Sequence, residues 1–227
     1  DVFFQKIALF VTSTVSNELF LLKGFAGTGK TTLISTLVNH LATVNKKYVL
    51  LAPTGRAAKV IANYSEKPAF TIHKKIYFPK KSSGGGVSFT LQQNKHKNTI
   101  FIVDESSMIS DVNTESKLYD NGSLLDDLMS YVYSGENCKM ILIGDTAQLP
   151  PVNLTVSPAL MADSLELNYN KQVYQIELDE VMRQEEGSGV LHNATLIREL
   201  INNFYNSDFK FQIKGFKDIV RLIDGYD

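Results

Sequence analysis

The residues with the clearest chemistry form a glycine-rich run that ends in a lysine and a threonine. Residues 24–31 (GFAGTGKT) fit the pattern G-x-x-x-x-G-K-[ST] and lie between an apolar run and a segment of helical periodicity. Glycines permit close backbone approach, so that successive amide N–H groups can hold phosphate oxygens. The start of a helix adds partial positive charge. The pattern predicts a nucleotide-phosphate site; a glycine turn with no ligand is the alternative.

Within this loop the residue types indicate separate roles. Lys30 is predicted to reach the β- and γ-phosphates of ATP, and Thr31 is predicted to ligate Mg²⁺. The remaining predicted nucleotide contacts in or beside the loop are Gly24, Ala26, Gly27, Thr28, Gly29 and Thr32.

A second apolar run, residues 100–103, ends in two carboxylates. Asp104 is predicted to hold the Mg²⁺ shell, and Glu105 to orient or deprotonate an attacking water. A strand that ends in an acidic turn without a catalytic role is common, and it is the alternative for this pair taken alone. In combination with the phosphate loop, the pair favours hydrolysis over simple nucleotide exchange.

Strand-like apolar runs must position these groups, and segments of helical periodicity, such as residues 31–43 and 123–132, lie between them. Alternating buried strands and helices predict an α/β fold with a mostly parallel sheet. The apolar runs are residues 19–23, 48–52, 100–104 and 140–144.

The composition is that of an ordinary globular chain. Of its 227 residues 44% are hydrophobic and 21% charged, with 23 Lys+Arg against 24 Asp+Glu. These values exclude a disordered chain and a uniformly basic nucleic-acid coat. One cysteine, Cys138, excludes an internal disulfide, and no apolar run is long enough to span a membrane. A reducing, cytoplasmic location is the resulting prediction.

The neutral total conceals a separation of charge along the chain. Residues 72–98 contain six lysines and no acidic residue, and they include three consecutive glycines followed by an alternating run at residues 87–91. This pattern predicts a small inserted β element on flexible joints. The segment 104–127, in contrast, contains seven acidic residues and one lysine.

Four further segments, together with the phosphate loop and residues 104–108 (DESSM), resemble in order and spacing the RecD-like and Dda-like branch of superfamily 1 helicases. The resemblance extends through nearly the whole chain. The four segments are residues 52–59 (APTGRAAK), 71–73 (TIH), 143–152 (IGDTAQLPPV) and 178–184 (LDEVMRQ).

The resemblance implies an ATP- and Mg²⁺-dependent DNA helicase that moves 5′ to 3′ on single-stranded DNA and separates duplex at a fork. It implies a RecA-like P-loop NTPase fold with a parallel β-sheet flanked by helices and a small inserted β element. Repair or nuclease subunits are possible partners, and no membrane is expected. The alternatives are a DNA-binding or assembly subunit with little ATP turnover, and an ATPase switch that acts on protein clients.

The resemblance also assigns residues around the nucleotide. Gln5 corresponds to a glutamine that reads the adenine edge, and a solvated helix residue is the alternative. Gln148 corresponds to a glutamine that senses the γ-phosphate, with Asp145 supporting a magnesium-bound water. Arg183 corresponds to an arginine that stabilises charge on the transferring phosphate, and a surface ion pair is its alternative.

For DNA, the resemblance assigns a backbone-gripping segment and part of the basic insertion. Arg56 can instead be a surface helix residue, His73 a satisfied turn residue, and the insertion a solvated basic loop whose aromatic side chains pack on each other. Tyr77, Phe78 or Phe89 is expected to stack on bases. The assigned DNA contacts are Pro53, Thr54, Gly55, Arg56, His73, Lys74, Lys75 and Tyr77.

The predicted domain organisation follows from the same resemblance. Residues 1–71 and 99–206 form a RecA-like ATPase domain, residues 72–98 the inserted β-domain, and residues 207–227 the start of a second RecA-like domain. Since members of this family need both RecA-like domains, the isolated fragment is expected to be poorly active.

Overall fold

A six-stranded parallel sheet lies at the centre of the computed structural model of this chain, with the strand order β3-β2-β6-β7-β1-β8. Each of its five strand pairs is parallel. A separate two-stranded antiparallel sheet consists of β4 and β5. The strands are β1 (Glu18–Gly24), β2 (Lys47–Ala52), β3 (Ala69–Thr71), β4 (Tyr77–Lys81), β5 (Val87–Leu91), β6 (Thr99–Val103), β7 (Lys139–Gly144) and β8 (Gln172–Leu178).

The chain divides into two units, Asp1–Glu180 and Val181–Asp227. The sheet and its flanking helices belong to the first unit. The structure describes residues 2–81, 87–112, 121–178, 188–202, 210–216 and 218.

Some of the helices begin at residues whose side chains satisfy free N–H groups of the first turn. Thr54 and Ser123 accept hydrogen bonds from the N–H groups of Ala57 and Asp126, three residues on. The helices are α1 (Val2–Thr12), α2 (Lys30–Thr43), α3 (Gly55–Ser65), α4 (Ile72–Ile76), α5 (Leu124–Ser134), α6 (Ala162–Tyr169) and α7 (Gly189–Asn202), with 3₁₀ turns at Ser106–Met108 and Pro158–Leu160.

Two apolar layers cover the two faces of the sheet. Alternate side chains of β1 enter different layers, with Leu21 in one and Leu22 in the other. The Leu22 layer contains residues of α1, α2 and α3, while the Leu21 layer contains residues of α4, α5 and α6. Because each buried strand contributes to both layers, its sequence is almost continuously apolar.

The hairpin β4–β5 follows α4. Its first residue, Tyr77, is held by hydrogen bonds to α5 and to the segment after β5. Tyr77 is only 2% exposed, and its hydroxyl donates a 2.7 Å hydrogen bond to Asp127 of α5. Gln92 donates from its side chain to the Tyr77 carbonyl and from its backbone to the Ile76 carbonyl. The predicted α/β fold, with a helix-flanked parallel sheet and a small inserted β element, is therefore confirmed.

In the second unit, the described residues consist of α7 and short flanking segments. Ser188 and Gly189 donate to the Asp218 carboxylate at the start of α7, and Asn193 exchanges hydrogen bonds with the backbone of Gln212. Much of the segment 207–227 lies outside the described residues. The predicted division of the chain at residue 207 stays a prediction.

No helix among the described residues combines the length and apolar character needed to cross a bilayer.

Candidate nucleotide and DNA site

The phosphate loop joins the end of β1 to the start of α2, and its glycines are required by its geometry. Gly27 and Gly29 both have a φ of 86°, in the left-handed region that favours glycine. A Cβ on Gly24 would lie 2.6 Å from the Thr28 hydroxyl and 3.0 Å from the Leu178 Cβ. The loop therefore turns tightly beneath the first turn of α2.

Lys30 is the first residue of α2, and its ammonium lies inside the loop. Its Nζ donates to the carbonyls of Gly24 and Phe25, at 2.6 and 2.9 Å. The Thr28 hydroxyl also donates to the Phe25 carbonyl, at 2.8 Å. The side chain of Thr31 is half-buried next to Lys30. A positive charge, a hydroxyl and a helix N-terminus thus converge on one turn, which suits phosphate binding.

The acidic pair, Asp104 and Glu105, follows β6, which is separated from β1 in the sheet by β7. Asp104 is 8% exposed, and burial raises its pKa to about 6. The Glu105 N–H donates to the Asp104 carboxylate and opposes that rise, as does the charge of Lys30. Glu105 itself has a φ of 55°, a conformation uncommon for residues other than glycine. Asp104 and Lys30 are therefore close enough to interact electrostatically.

The third segment of the site follows β7. Asp145 is 2% exposed, and its carboxylate accepts a hydrogen bond from the Ala147 N–H. Gln148 accepts a 2.8 Å hydrogen bond from the Ser107 hydroxyl. A Cβ on Gly144 would lie 3.1 Å from the Ser107 N, which shows how tightly the 3₁₀ turn packs against β7. Ser107 connects the acidic pair to Gln148, and sequence reasoning gave this residue no role.

These side chains suit a magnesium ion held with a nucleotide. Mg²⁺ prefers oxygen ligands and is usually held by one or two carboxylates together with substrate phosphates. The hydroxyl of Thr31 and the buried carboxylate of Asp104 supply such oxygens, and the buried carboxylate of Asp145 follows β7 at the same edge of the sheet. The described residues contain no group of three or more His, Cys, Asp or Glu that would hold a metal alone.

The segment predicted to grip DNA, residues 53–56, follows β2 at the same edge of the sheet. The Thr54 hydroxyl caps α3 by accepting from the Ala57 N–H, at 3.2 Å, so it has a structural role. Arg56 is exposed. A Cβ on Gly55 would meet no atom within 4 Å, and its φ is not in the left-handed range. The fold does not require glycine at this position.

The predicted DNA contacts in the insertion are placed differently from one another. Lys74 is exposed, whereas the Lys75 ammonium lies 5.4 Å from the centre of the Phe70 ring. Burial lowers the pKa of His73, whose ring lies beside that of Tyr77. Tyr77 is buried and bonded to Asp127, which argues against its prediction as a base-stacking residue.

The aromatic side chain that the structure does expose at the hairpin root is Phe78, at 60%. Gln5 lies on the exposed side of α1, between the buried residues Phe3 and Ile7, and its role in adenine reading stays a prediction. Arg183 lies outside the described residues.

The chain is similar in sequence to known proteins. Residues 5–154 match the family described as AAA domain. The ATP-dependent RecD2 DNA helicase of Deinococcus radiodurans is 29% identical over 160 residues, covering 70% of this chain and 20% of that protein. The ATP-dependent DNA helicase dda of enterobacteria phage T4 is 31% identical over 190 residues, covering 82% of this chain and 38% of that protein.

A solved structure shares the fold. The Pif1 helicase from Bacteroides, in complex with ADP-AlF3 and single-stranded DNA, has a TM-score of 0.52 at 19% identity, covering 89% of this chain and 46% of that chain. The chain spans between 12% and 38% of the length of the curated relatives it matches. The predicted resemblance to RecD-like and Dda-like helicases is confirmed by RecD2 and dda. Because the family match covers well over half of the chain, this nucleotide-using protein belongs to the AAA domain family.

Proposed function

We propose that this chain is the N-terminal, ATP-binding portion of a DNA helicase that uses Mg²⁺-ATP to move on single-stranded DNA and to separate strands at a fork. The observation that carries the proposal is the convergence of four segments at one edge of the parallel sheet. The phosphate loop, the acidic pair, the Gln148 segment and residues 53–56 each follow the carboxyl end of a strand. Ligands of open α/β sheets bind at this edge.

The nucleotide chemistry divides among the residues of three of these segments. Lys30 would hold the β- and γ-phosphates, and the hydroxyl of Thr31 and the carboxylate of Asp104 would hold Mg²⁺, which would supply positive charge to the phosphate oxygens. Glu105 orients or deprotonates the attacking water. Its left-handed backbone conformation sets the direction in which its side chain leaves the main chain.

The hydrogen bond between Ser107 and Gln148 gives a physical route from the nucleotide to the rest of the unit. Gln148 follows β7, and Ser107 belongs to the turn after the acidic pair. The amide oxygen of Gln148 accepts from Ser107, so its side-chain NH₂ is the group that would donate to the γ-phosphate. ATP binding and hydrolysis would then alter the packing of the Ser106–Met108 turn.

Binding of single-stranded DNA is proposed for residues 53–56, and contact with DNA at the fork is proposed for the lysines of the insertion. Hydroxyl, amide N–H, guanidinium and ammonium groups are the donors that nucleic-acid phosphates attract. RecD2 and dda are named as ATP-dependent DNA helicases, and the Bacteroides Pif1 helicase was solved with single-stranded DNA, which supports this choice of substrate. Movement from 5′ to 3′, a cytoplasmic location and association with repair or nuclease subunits belong to the same proposal.

The proposal is tested by the ATPase rate of the full-length protein with and without single-stranded DNA. Lys30→Ala is expected to abolish turnover, because it removes the charge that faces the phosphates. Glu105→Gln is expected to retain nucleotide binding and to lower kcat by about 10²–10⁴-fold, because the water loses its base. The control is Lys46→Ala, because Lys46 precedes β2 and therefore lies at the amino ends of the strands, away from the nucleotide site.

Unchanged hydrolysis in Lys30→Ala would contradict the site assignment. Wild-type turnover that single-stranded DNA does not stimulate would contradict the helicase assignment and favour the switch on protein clients. If the protein binds nucleotide but shows no measurable ATP turnover, the alternative of a DNA-binding or assembly subunit is favoured.

A further inference from the structure

A basic and aromatic groove of about 600 Å³ lies beside the root of the β4–β5 hairpin. Four parts of the first unit form its walls: the edge strand β3, the start of the hairpin with α4, the segment after β5, and α5. The groove is lined by Phe70, Lys74, Lys75, Phe78, Gln92, Gln93, Lys95, His96 and Tyr131.

Lysines supply all the charge of this groove at neutral pH. Burial lowers the pKa of His96, and the charges of Lys75 and Lys47 lower it further, so the imidazole stays neutral. No acidic residue lies among the lining side chains in the described part of the chain, and the sequence has none between residues 72 and 98. The groove therefore attracts anions and has no carboxylate of its own to compensate the lysines.

Aromatic side chains complement these charges. The ring of Phe78 is 60% exposed at the groove, while Tyr131 is buried and packs edge-on against Phe101. Lys75 lies over the ring of Phe70. An exposed ring between ammonium groups is the combination that binds single-stranded nucleic acid, since bases stack on rings and lysines attract the backbone.

The groove and residues 53–56, here called the track, lie on opposite sides of the sheet. Ile61 of α3, the helix that the track begins, packs in the layer with α1 and α2. Ile76 of α4 and Tyr131 of α5 pack in the other layer. Between them runs the edge of the sheet formed by β3. The two surfaces can therefore contact two different strands that diverge from one duplex end.

We propose that this groove binds an unpaired stretch of the DNA strand that is not held on the track. The inference rests on the proposed helicase function, because only a fork presents such a second strand. Phe78 stacks on one of its bases, while Lys74, Lys75 and Lys95 attract its phosphates. Holding this strand away from its complement opposes re-annealing behind the hairpin.

The test is the affinity of the full-length protein for three fluorescent DNAs, measured by anisotropy. They are a single strand, a duplex with one tail on the strand that the track holds, and the same duplex with both strands tailed. Lys95→Glu and Phe78→Ala are expected to weaken binding of the two-tailed fork by about tenfold each, since stacking and charge contacts are of that size. Both variants should bind the single strand and the one-tailed duplex like wild type.

Salt dependence gives a second measurement for the same contacts. Lys95→Gln should reduce the slope of log K against log[salt] by about 0.7 for the two-tailed fork only. Lys6→Glu and Tyr64→Ala are matched controls, because Lys6 is exposed on α1, which packs on β1 and β8, and Tyr64 is an exposed ring on α3. Unchanged thermal melting and nucleotide binding show that each variant is folded.

Each other result overturns the proposal. Equal weakening on all three DNAs would make the groove a part of the track, and no weakening on any of them would exclude it as a DNA site. If wild-type protein binds none of the DNAs, the helicase function itself fails and the groove proposal fails with it.

Discussion

A buried ion pair fixes α1 to the sheet. Lys139 of β7 and Glu18 of β1 are 4% and 2% exposed, with 2.7 Å between Nζ and Oε2. Lys139 also donates to the carbonyls of Phe10 and Ser13 at the end of α1. A cation at a helix C-terminus interacts favourably with the helix dipole. The helix that carries Gln5 is therefore positioned by charge as well as by apolar packing.

Lys139→Met is expected to lower the free energy of unfolding by about 3–5 kcal/mol at pH 7, because it leaves the Glu18 carboxylate buried without its partner. Burial raises the pKa of Glu18, but hydrogen bonds from Lys139, Ser13 and Tyr174 outweigh it, and the pKa lies below its ordinary value. The wild-type contribution is thus present above the unfolded pKa and is lost as pH falls through the folded one.

The gap in stability between wild type and Lys139→Met should narrow as the pH falls, because Glu18 without its partner takes up a proton in the folded variant at a higher pH than in folded wild type. Urea unfolding of both proteins between pH 7 and pH 3 measures it. A gap that stays constant over this range would show that Glu18 does not titrate with folding.

Gly55 gives a second prediction for a single residue. Gly55→Ala should raise stability by about 0.4–1 kcal/mol, because the helical backbone accepts alanine and the unfolded chain loses freedom. The same variant should weaken single-stranded DNA binding, since the added methyl would occupy the surface where the DNA backbone approaches. Thermal melting and anisotropy measure the two effects.

Gly135→Ala is the matched control for this change. Its Cβ would lie 2.5 Å from the Asn94 side-chain nitrogen, so it should lower stability without acting through the track. If Gly55→Ala leaves DNA affinity unchanged, the glycine has no role in DNA binding.

At the level of secondary structure, burial decides which elements a sequence reveals. The four predicted apolar runs correspond to β1, β2, β6 and β7, which are interior strands buried on both faces. The edge strands β3 and β8 have mostly half-exposed residues and lack a continuous apolar run, so the sequence gives no clear signal for them. The burial of Tyr77 gives no sequence signal for a related reason, because its hydrogen-bond partner Asp127 is distant in the sequence.

The hairpin is expected to contribute to DNA handling and little to the stability of the first unit. Replacing residues 80–88 with a two-residue Asn-Gly turn keeps the pairs Tyr77–Leu91 and Phe78–Thr90. Nucleotide binding and melting temperature should stay near wild type, while unwinding of a tailed duplex should slow. A second variant, Lys80→Gln with Lys81→Gln, keeps the full length of the hairpin and removes two of its charges. Comparison of the two variants distinguishes the effect of lost charge from the effect of lost length. If the shortened protein unwinds the tailed duplex at the wild-type rate, the hairpin has no role in unwinding.

At the scale of the whole molecule, the parallel sheet explains why the sequence predicts that the motifs of the candidate nucleotide site lie together. Each motif follows an apolar run, and parallel strands bring their carboxyl ends to one edge. The Ser107–Gln148 bond and the groove were not predictable, because they depend on how separate segments pack against each other. Types and spacing of residues identify chemistry at strand ends, whereas contacts across elements require coordinates.

The distribution of arginines leads to the last prediction. The chain has four, and Arg56 is the only one in residues 1–180, the part that carries the phosphate loop. The loop neutralises one side of the γ-phosphate, whereas charge develops on all of its equatorial oxygens during transfer. An arginine that faces this charge is worth about 10³–10⁵ in rate. Arg56 is the second residue of α3, in the segment assigned to DNA.

We therefore expect a polypeptide limited to residues 1–227 to hydrolyse ATP slowly, and to depend on Arg183 for whatever rate it has. Steady-state ATPase assays of this polypeptide and of Arg183→Ala, with Arg198→Ala as the matched control, measure that dependence. A low rate that Arg183→Ala does not change would place the required arginine elsewhere in the functional helicase.

Translocation also needs two DNA-binding surfaces whose separation changes with the nucleotide, and the track supplies one. Unwinding of a tailed duplex by residues 1–227 alone, as a monomer, would contradict this account.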